Sequence, residues 1–274
     1  MVFKRLLGRG GIPLEIDTLV ESGPARPGGL LTGEVVVRAP ERAVEVGSMT
    51  LRLTANAPLF HKGDGDGERE GDRFDYVGAS GYFSLKKGEE RRVPFRHRLQ
   101  WETPLSEIGG RELKGALLTL HTEVEAEGIT SQTDNDLVRV TGTPLHDAVF
   151  EAFAAAGYDC DTSRIFTGTI PRSEYHLYLV QGFLLTSRTD GGDRPRELEL
   201  TFRTNAVGCE VFVRRASLRD QYWKDKNPAL RHLVAHHDVG RVDFGAEVVR
   251  WISEVDGLGD GDGWCPTGTD EGDS

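Results

Sequence analysis

Four residues near the C-terminal end have the types and spacing for metal chemistry. They are His232, His236, His237 and Asp238, in the run His232-Leu233-Val234-Ala235-His236-His237-Asp238. Histidines four apart share one face of a helix, where their imidazoles can ligate one zinc or nickel ion and Asp238 can add a carboxylate. Leu233 stands where the zinc-protease pattern His-Glu-x-x-His needs its glutamate. On a strand, His232 and His236 would lie ~13 Å apart at ~3.3 Å per residue, too far for one ion. The metal reading therefore depends on a helix, and solvated surface histidines are the simpler reading. A metal-binding module or metal-dependent enzyme built on these four residues stands as the alternative function.

Other candidates are thinner. Asp64-Gly65-Asp66-Gly67-Glu68-Arg69 imitates the start of a calcium loop, but Arg69 and Asp75 occupy the positions that require Gly and Glu. The cysteines Cys160, Cys209 and Cys265 are odd in number and far apart. They make no disulfide framework and no Cys-x-x-Cys pair, which fits a reducing, cytoplasmic setting. Cys209 alternates with apolar positions and reads as a buried, inert thiol. Cys160 sits between Asp159 and Asp161, which disfavours a thiolate. No Gly-x-Ser-x-Gly, P-loop or dinucleotide fingerprint occurs. The residues by themselves therefore assign no catalytic, cofactor-binding or metal-binding residue and no cofactor, and their chemistry alone does not name a function.

The elements that would position these residues are mostly strands. Val93, Phe95, His97, Leu99 and Trp101 alternate with Arg92, Pro94, Arg96, Arg98 and Gln100. The same period of two runs through 49–55, 118–127, 197–203 and 209–213, the mark of strands with one face buried. The stretch 175–185 is apolar on both faces and predicts a strand covered on both sides. Arg92, Arg96 and Arg98 on one strand, and Glu123, Glu125 and Glu127 on another, are expected to be sheet neighbours forming a charge-paired outer face. One segment departs from this period. Thr143-Pro144 offers an N-cap and a first-turn proline, Leu145, Val149, Ala152, Phe153 and Ala156 share a helical face, and Gly157 can end the helix.

Composition narrows the function classes. The chain has 274 residues, of which 38% are hydrophobic and 28% charged, enough for one large or two small domains with real cores. Formal net charge is −11, and seven acids with no base lie in residues 254–274. A mildly acidic body with an acidic tail argues against nucleic-acid binding, which needs a basic footprint. No run of ~18 apolar residues exists to cross a membrane as a helix. The basic, amphipathic start (Phe3, Lys4, Arg5, Leu6, Leu7, Arg9) can touch an anionic membrane surface only weakly, and packing against a sandwich edge is the simpler use. The Gly-rich, charged stretch 61–73 is expected to be a mobile loop and the acidic Gly/Asp-rich end a disordered tail, since both contain little to bury.

A longer pattern carries a resemblance. Arg26-Pro27-Gly28-Gly29-Leu30-Leu31-Thr32-Gly33-Glu34-Val35-Val36-Val37 is similar to the opening hairpin of arrestin-type domains. Six pieces in order then resemble the bacterial sporulation-control protein family (the Spo-zero-M type), which has an arrestin-like fold. After the hairpin come Met49 to Thr54, then Val93-Pro94-Phe95 through Thr103-Pro104-Leu105. The Asp-rich corner Asp134-Asn135-Asp136-Leu137-Val138-Arg139-Val140 follows, then Pro144-Leu145 opening a helix, and finally Gly208-Cys209-Glu210-Val211-Phe212-Val213-Arg214-Arg215. The resemblance spans roughly residues 1–250 and implies a cytoplasmic regulator of sporulation or development with no catalytic motif.

Residues and resemblance together predict an all-β fold of two arrestin-like β-sandwiches, over 1–142 and 157–252. The helix 143–156 would connect them, and 253–274 would form the tail. The expected activity is a non-enzymatic regulatory scaffold that docks a protein partner on an exposed sheet edge or in the groove between sandwiches. The same edge can join two copies into a homodimer.

Overall fold

The computed structural model describes residues 13–56, 72–169, 176–188, 196–216 and 229–258. The chain divides into two compact units at Thr143/Pro144.

Among the described residues the first unit holds ten strands: β1 (Glu15–Val20), β2 (Leu30–Arg38), β3 (Val44–Asn56), β4 (Asp72–Ser80), β5 (Phe83–Leu85), β6 (Glu90–Arg98), β7 (Glu107–Ile108), β8 (Arg111–Glu112), β9 (Leu117–Ala126) and β10 (Ile129–Leu137). One antiparallel sheet has the order β1-β2-β6, and a second has β10-β9-β3-β4 with β5 beside β3. The period of two becomes burial as expected. Leu31, Val35 and Val37 of β2, Leu51 and Leu53 of β3, and Leu118, Leu120 and Val124 of β9 are all at most 3% exposed and fill the core. Polar contacts join the sheets at both rims. The Thr18 and Thr122 hydroxyls bond at 2.8 Å across β1 and β9, and His97 of β6 meets the Asp75 carboxylate of β4 at 2.8 Å.

Two glycines of the opening hairpin are dictated by close packing. A Cβ on Gly33 would lie 2.4 Å from the Leu19 carbonyl oxygen and 2.6 Å from the Phe95 ring. Gly28 has φ +70°, and its Cβ would run into the Trp101 indole at 2.6 Å. Any side chain at either place would push β6, or the turn after it, away from β2.

The second unit holds α1 (Pro144–Ala155), β11 (Tyr158–Thr169), β12 (His176–Ser187), β13 (Glu197–Thr204), β14 (Gly208–Arg215), β15 (Leu230–Ala235), a 3-10 turn at His236–Asp238 and α2 (Phe244–Gly257). The strands form one antiparallel sheet in chain order. Both helices pack on the same face of it. Phe150 of α1 meets Phe183 and Phe202 edge-on at 5.1 and 5.5 Å, and Trp251 of α2 stacks on His232 of β15.

Both helices differ from the sequence expectation. The helix foreseen as a connector belongs to the second unit, because Leu145, Val149, Phe150 and Phe153 bury themselves against its strands. The chain is also helical over Phe244–Gly257, where the sequence reading placed the end of a sandwich and the start of a tail. Asp243 caps this helix by accepting from the Ala246 N–H at 3.1 Å, and Phe244, Val248, Trp251 and Val255 form its buried stripe.

Candidate functional site at the sheet edges

A sheet edge is a docking site only where outward backbone groups are unpaired. Hydrogen-bond phase decides which residues those are. In the first unit, Leu99 N–H donates to the Gly29 carbonyl at 2.9 Å and Ala39 N–H to that of Glu89 at 3.0 Å. The odd residues of β6 therefore bond β2, and Arg92, Pro94, Arg96 and Arg98 present their backbone outward. Pro94 has no N–H, so the middle of this edge cannot donate to an added strand.

The edges of β1 and β10 are closed by one side chain. Glu21 N–H donates to the Thr32 carbonyl, which turns the Thr18 N–H outward, and this donates to Asp134 Oδ2 at 2.8 Å. Val138 N–H donates to the Leu118 carbonyl, which turns the Asn135 N–H outward, and this donates to Asp134 Oδ1 at 3.0 Å. A single carboxylate thus occupies the central edge donors of strands in two different sheets. Burial, and then the negative charge of Asp134, raise the carboxyl of neighbouring Asp17 above the usual aspartate range.

The edge of β15 is different. His236 N–H donates to the Val207 carbonyl at 2.9 Å, so the even residues of β15 bond β14 and Arg231, Leu233 and Ala235 face outward. Ala235 N–H is taken by Asp238 Oδ2 at 2.7 Å. Among the described residues, the outward N–H and C=O of Leu233 meet no partner, and its side chain is 70% exposed. Leu233 projects from the sheet face away from the helices, opposite Glu210.

That face carries a charged lattice that orders β15. Glu210 accepts from Arg203 of β13 at 2.5 Å and from Arg231 of β15 at 2.6 Å. Glu199 accepts from Arg164 of β11 at 2.5 Å and from Arg214 of β14 at 2.9 Å. Each buried carboxylate is held by two guanidiniums, the arrangement that makes burying charge tolerable.

The four residues considered for metal binding do not converge. His232 lies in β15 and its ring stacks on Trp251 at 4.5 Å between centroids, 12° from parallel. Burial pushes it down to about 4, and its Nε2 stays 3.9 Å from Glu254. His236 Nε2 donates to the Asn205 carbonyl at 2.9 Å, Asp238 is spent on the Ala235 N–H, and His237 is exposed. The segment is a strand running into a 3-10 turn, which denies the shared helical face the metal reading needed. Among the described residues no group of three His, Cys, Asp or Glu side chains can hold a metal ion.

The expected pairing of Arg92, Arg96 and Arg98 with Glu123, Glu125 and Glu127 also fails. β6 and β9 belong to different sheets. Arg92 pairs instead with Glu34 and Glu90, and Glu123 with Arg52. A cluster the sequence did not suggest lies under α1. His146 Nε2 is 2.9 Å from Thr204 Oγ1 and 3.7 Å from Cys209 Sγ. Burial pushes His146 down to about 3 and Cys209 up to about 11, so imidazole and thiol are both neutral and pin α1 to the sheet. The residues read as a calcium-like loop fall within or beside 57–71, and those of the basic start within 1–12. Both stretches, and 259–274 with Cys265, lie outside the described residues.

The family model for SpoOM protein matches residues 3–215. The chain belongs to this family. It is 26% identical to the sporulation-control protein spo0M of Bacillus subtilis (strain 168) over 216 residues, which are 77% of this chain and 78% of that protein. The crystal structure of Spo0M from Bacillus subtilis superposes with a TM-score of 0.67 at 21% identity, covering 88% of this chain and 98% of that one. The fold is that of the Spo0M structure, arrestin-like and dominated by strands. Within this SpoOM-family chain, the motif positions acquire physical roles: Gly28 and Gly33 let the hairpin pack, and Asp134 closes two edges. No helix among the described residues is long and apolar enough to cross a membrane.

Proposed function

We propose that this protein is a non-enzymatic cytoplasmic regulator of sporulation or development that works by docking a protein partner on its β-sheet units. The observation that carries the reading is the family match over 3–215, together with a relative named as a sporulation-control protein. The chemistry agrees with it. The buried cysteine–histidine contact is held in its neutral, unreactive form, and the net charge of −11 disfavours nucleic acid as the partner. Backbone groups exposed at a sheet edge give affinity, while side chains beside them select the partner.

The test is capture from host lysate on the immobilised full-length protein, read by mass spectrometry. The reading expects one protein retained near one-to-one and eluted by excess free protein. A bait that returns only background at low and moderate salt would overturn the docking mechanism.

A further inference from the structure

We propose that the open edge of β15 pairs with the same edge of a second copy of this chain, joining two five-stranded sheets across a two-fold axis. The inference rests on the contrast between β15 and the edges of β1, β6 and β10. Asp134 occupies the central donors of β1 and β10, and Pro94 removes the central donor of β6. On β15 the closure stops at Ala235, and among the described residues the backbone groups of Leu233 meet no partner beneath an exposed apolar side chain. Natural sheets seldom leave such an edge bare.

Self-pairing follows from the register. In an antiparallel pair, outward residues must oppose outward residues, so Arg231, Leu233 and Ala235 of one copy face the same set in the other. With Leu233 opposite Leu233, the two N–H groups and two C=O groups at the axis satisfy one another, and the two leucines come into contact. Arg231 then lies opposite Ala235 of the second copy, so no like charges meet, and Glu210 of its own sheet keeps the guanidinium in place at 2.6 Å. Sliding until Arg231 opposes itself would set two cations side by side. The self-complementary register is also the one that covers both leucines, as a closed two-fold interface requires.

The experiment is sedimentation velocity on the full-length protein from about 1 to about 100 μM, the range of weak to firm self-association. The expected species at high concentration has about twice the 30.2 kDa chain mass. Leu233→Lys, which places two ammonium groups at the axis, should weaken dimerisation at least ~100-fold. Leu137→Lys, at an equally exposed leucine on β10, should leave it unchanged. Leu233→Cys should form an intermolecular disulfide on mild oxidation that Leu137→Cys does not form, because directly opposed Cα atoms lie at ~5.5 Å, within disulfide reach. A monomer at every concentration, or a dimer that Leu233→Lys leaves intact, would overturn the proposal. A monomeric protein that still captures a lysate partner would refute the self-pairing and leave the docking function standing.

Discussion

Removing the Asp134 carboxylate should loosen the first unit by an amount that follows from its two hydrogen bonds. Asp134→Ala leaves the Thr18 N–H, on a residue only 2% exposed, without its acceptor. A buried donor left unpaired costs ~1–3 kcal/mol. The Asn135 N–H is exposed and turns to water, at a cost of ~0.5 kcal/mol. Relief of the charge on Asp17 returns a fraction of this, so the net loss should be about 2 kcal/mol. With a urea slope of ~2 kcal/mol/M for a unit of this size, the midpoint should fall by about 1 M. Asp134→Asn keeps one carbonyl oxygen and should fall about half as far. Urea titration read by hydrogen exchange at the Thr18 and Asn135 amides resolves the unit from its neighbour. A midpoint that stays put in Asp134→Ala, with Thr18 exchange unchanged, would refute the assignment of this carboxylate as the clasp of two edges.

Other consequences are separable. His146 and His232 are held down to about 3 and 4 in the fold, whereas the unfolded chain protonates them near 6.5, so their contribution is complete above that pH. It is lost as pH falls from about 6.5 toward 4, by up to about 1.4 kcal/mol per pH unit for each histidine. Thermal melts between pH 7.5 and 4.5 should show that slope, and His146→Gln should flatten part of it. Gly33→Ala forces a Cβ against the Leu19 carbonyl and Phe95 and should cost about 1–3 kcal/mol in a denaturation experiment. Glu199→Ala strands the Arg214 guanidinium, 4% exposed, and should cost about 3–5 kcal/mol, read as a lowered melting temperature.

The strands were legible because burial of one face writes itself into the chain with a period of two, as in β6 and β9. α1 was legible through Pro144, its apolar stripe and Gly157, which takes φ +92°. The signals for α2 were also present in Asp243 and the spacing of Phe244, Val248, Trp251 and Val255, but an acidic, Gly-rich stretch follows directly and blurs the boundary. Sheet membership was not legible. Alternation tells which residues share a face, not which strands are neighbours, so the arginines of β6 were matched to the wrong glutamates. Asp134 stood out as part of an Asp-rich corner, yet its role depends on Thr18, 116 residues earlier. The openness of β15 depends on hydrogen-bond phase, which no local sequence pattern reports.

Selective edge closure is read directly by residue-resolved hydrogen exchange at low and high protein concentration. The Thr18 and Asn135 amides should be protected to the same degree at both concentrations, while Leu233 should exchange freely when dilute and gain protection when concentrated. A Leu233 amide already protected in the dilute protein, or a Thr18 amide exchanging at the free rate, would contradict it.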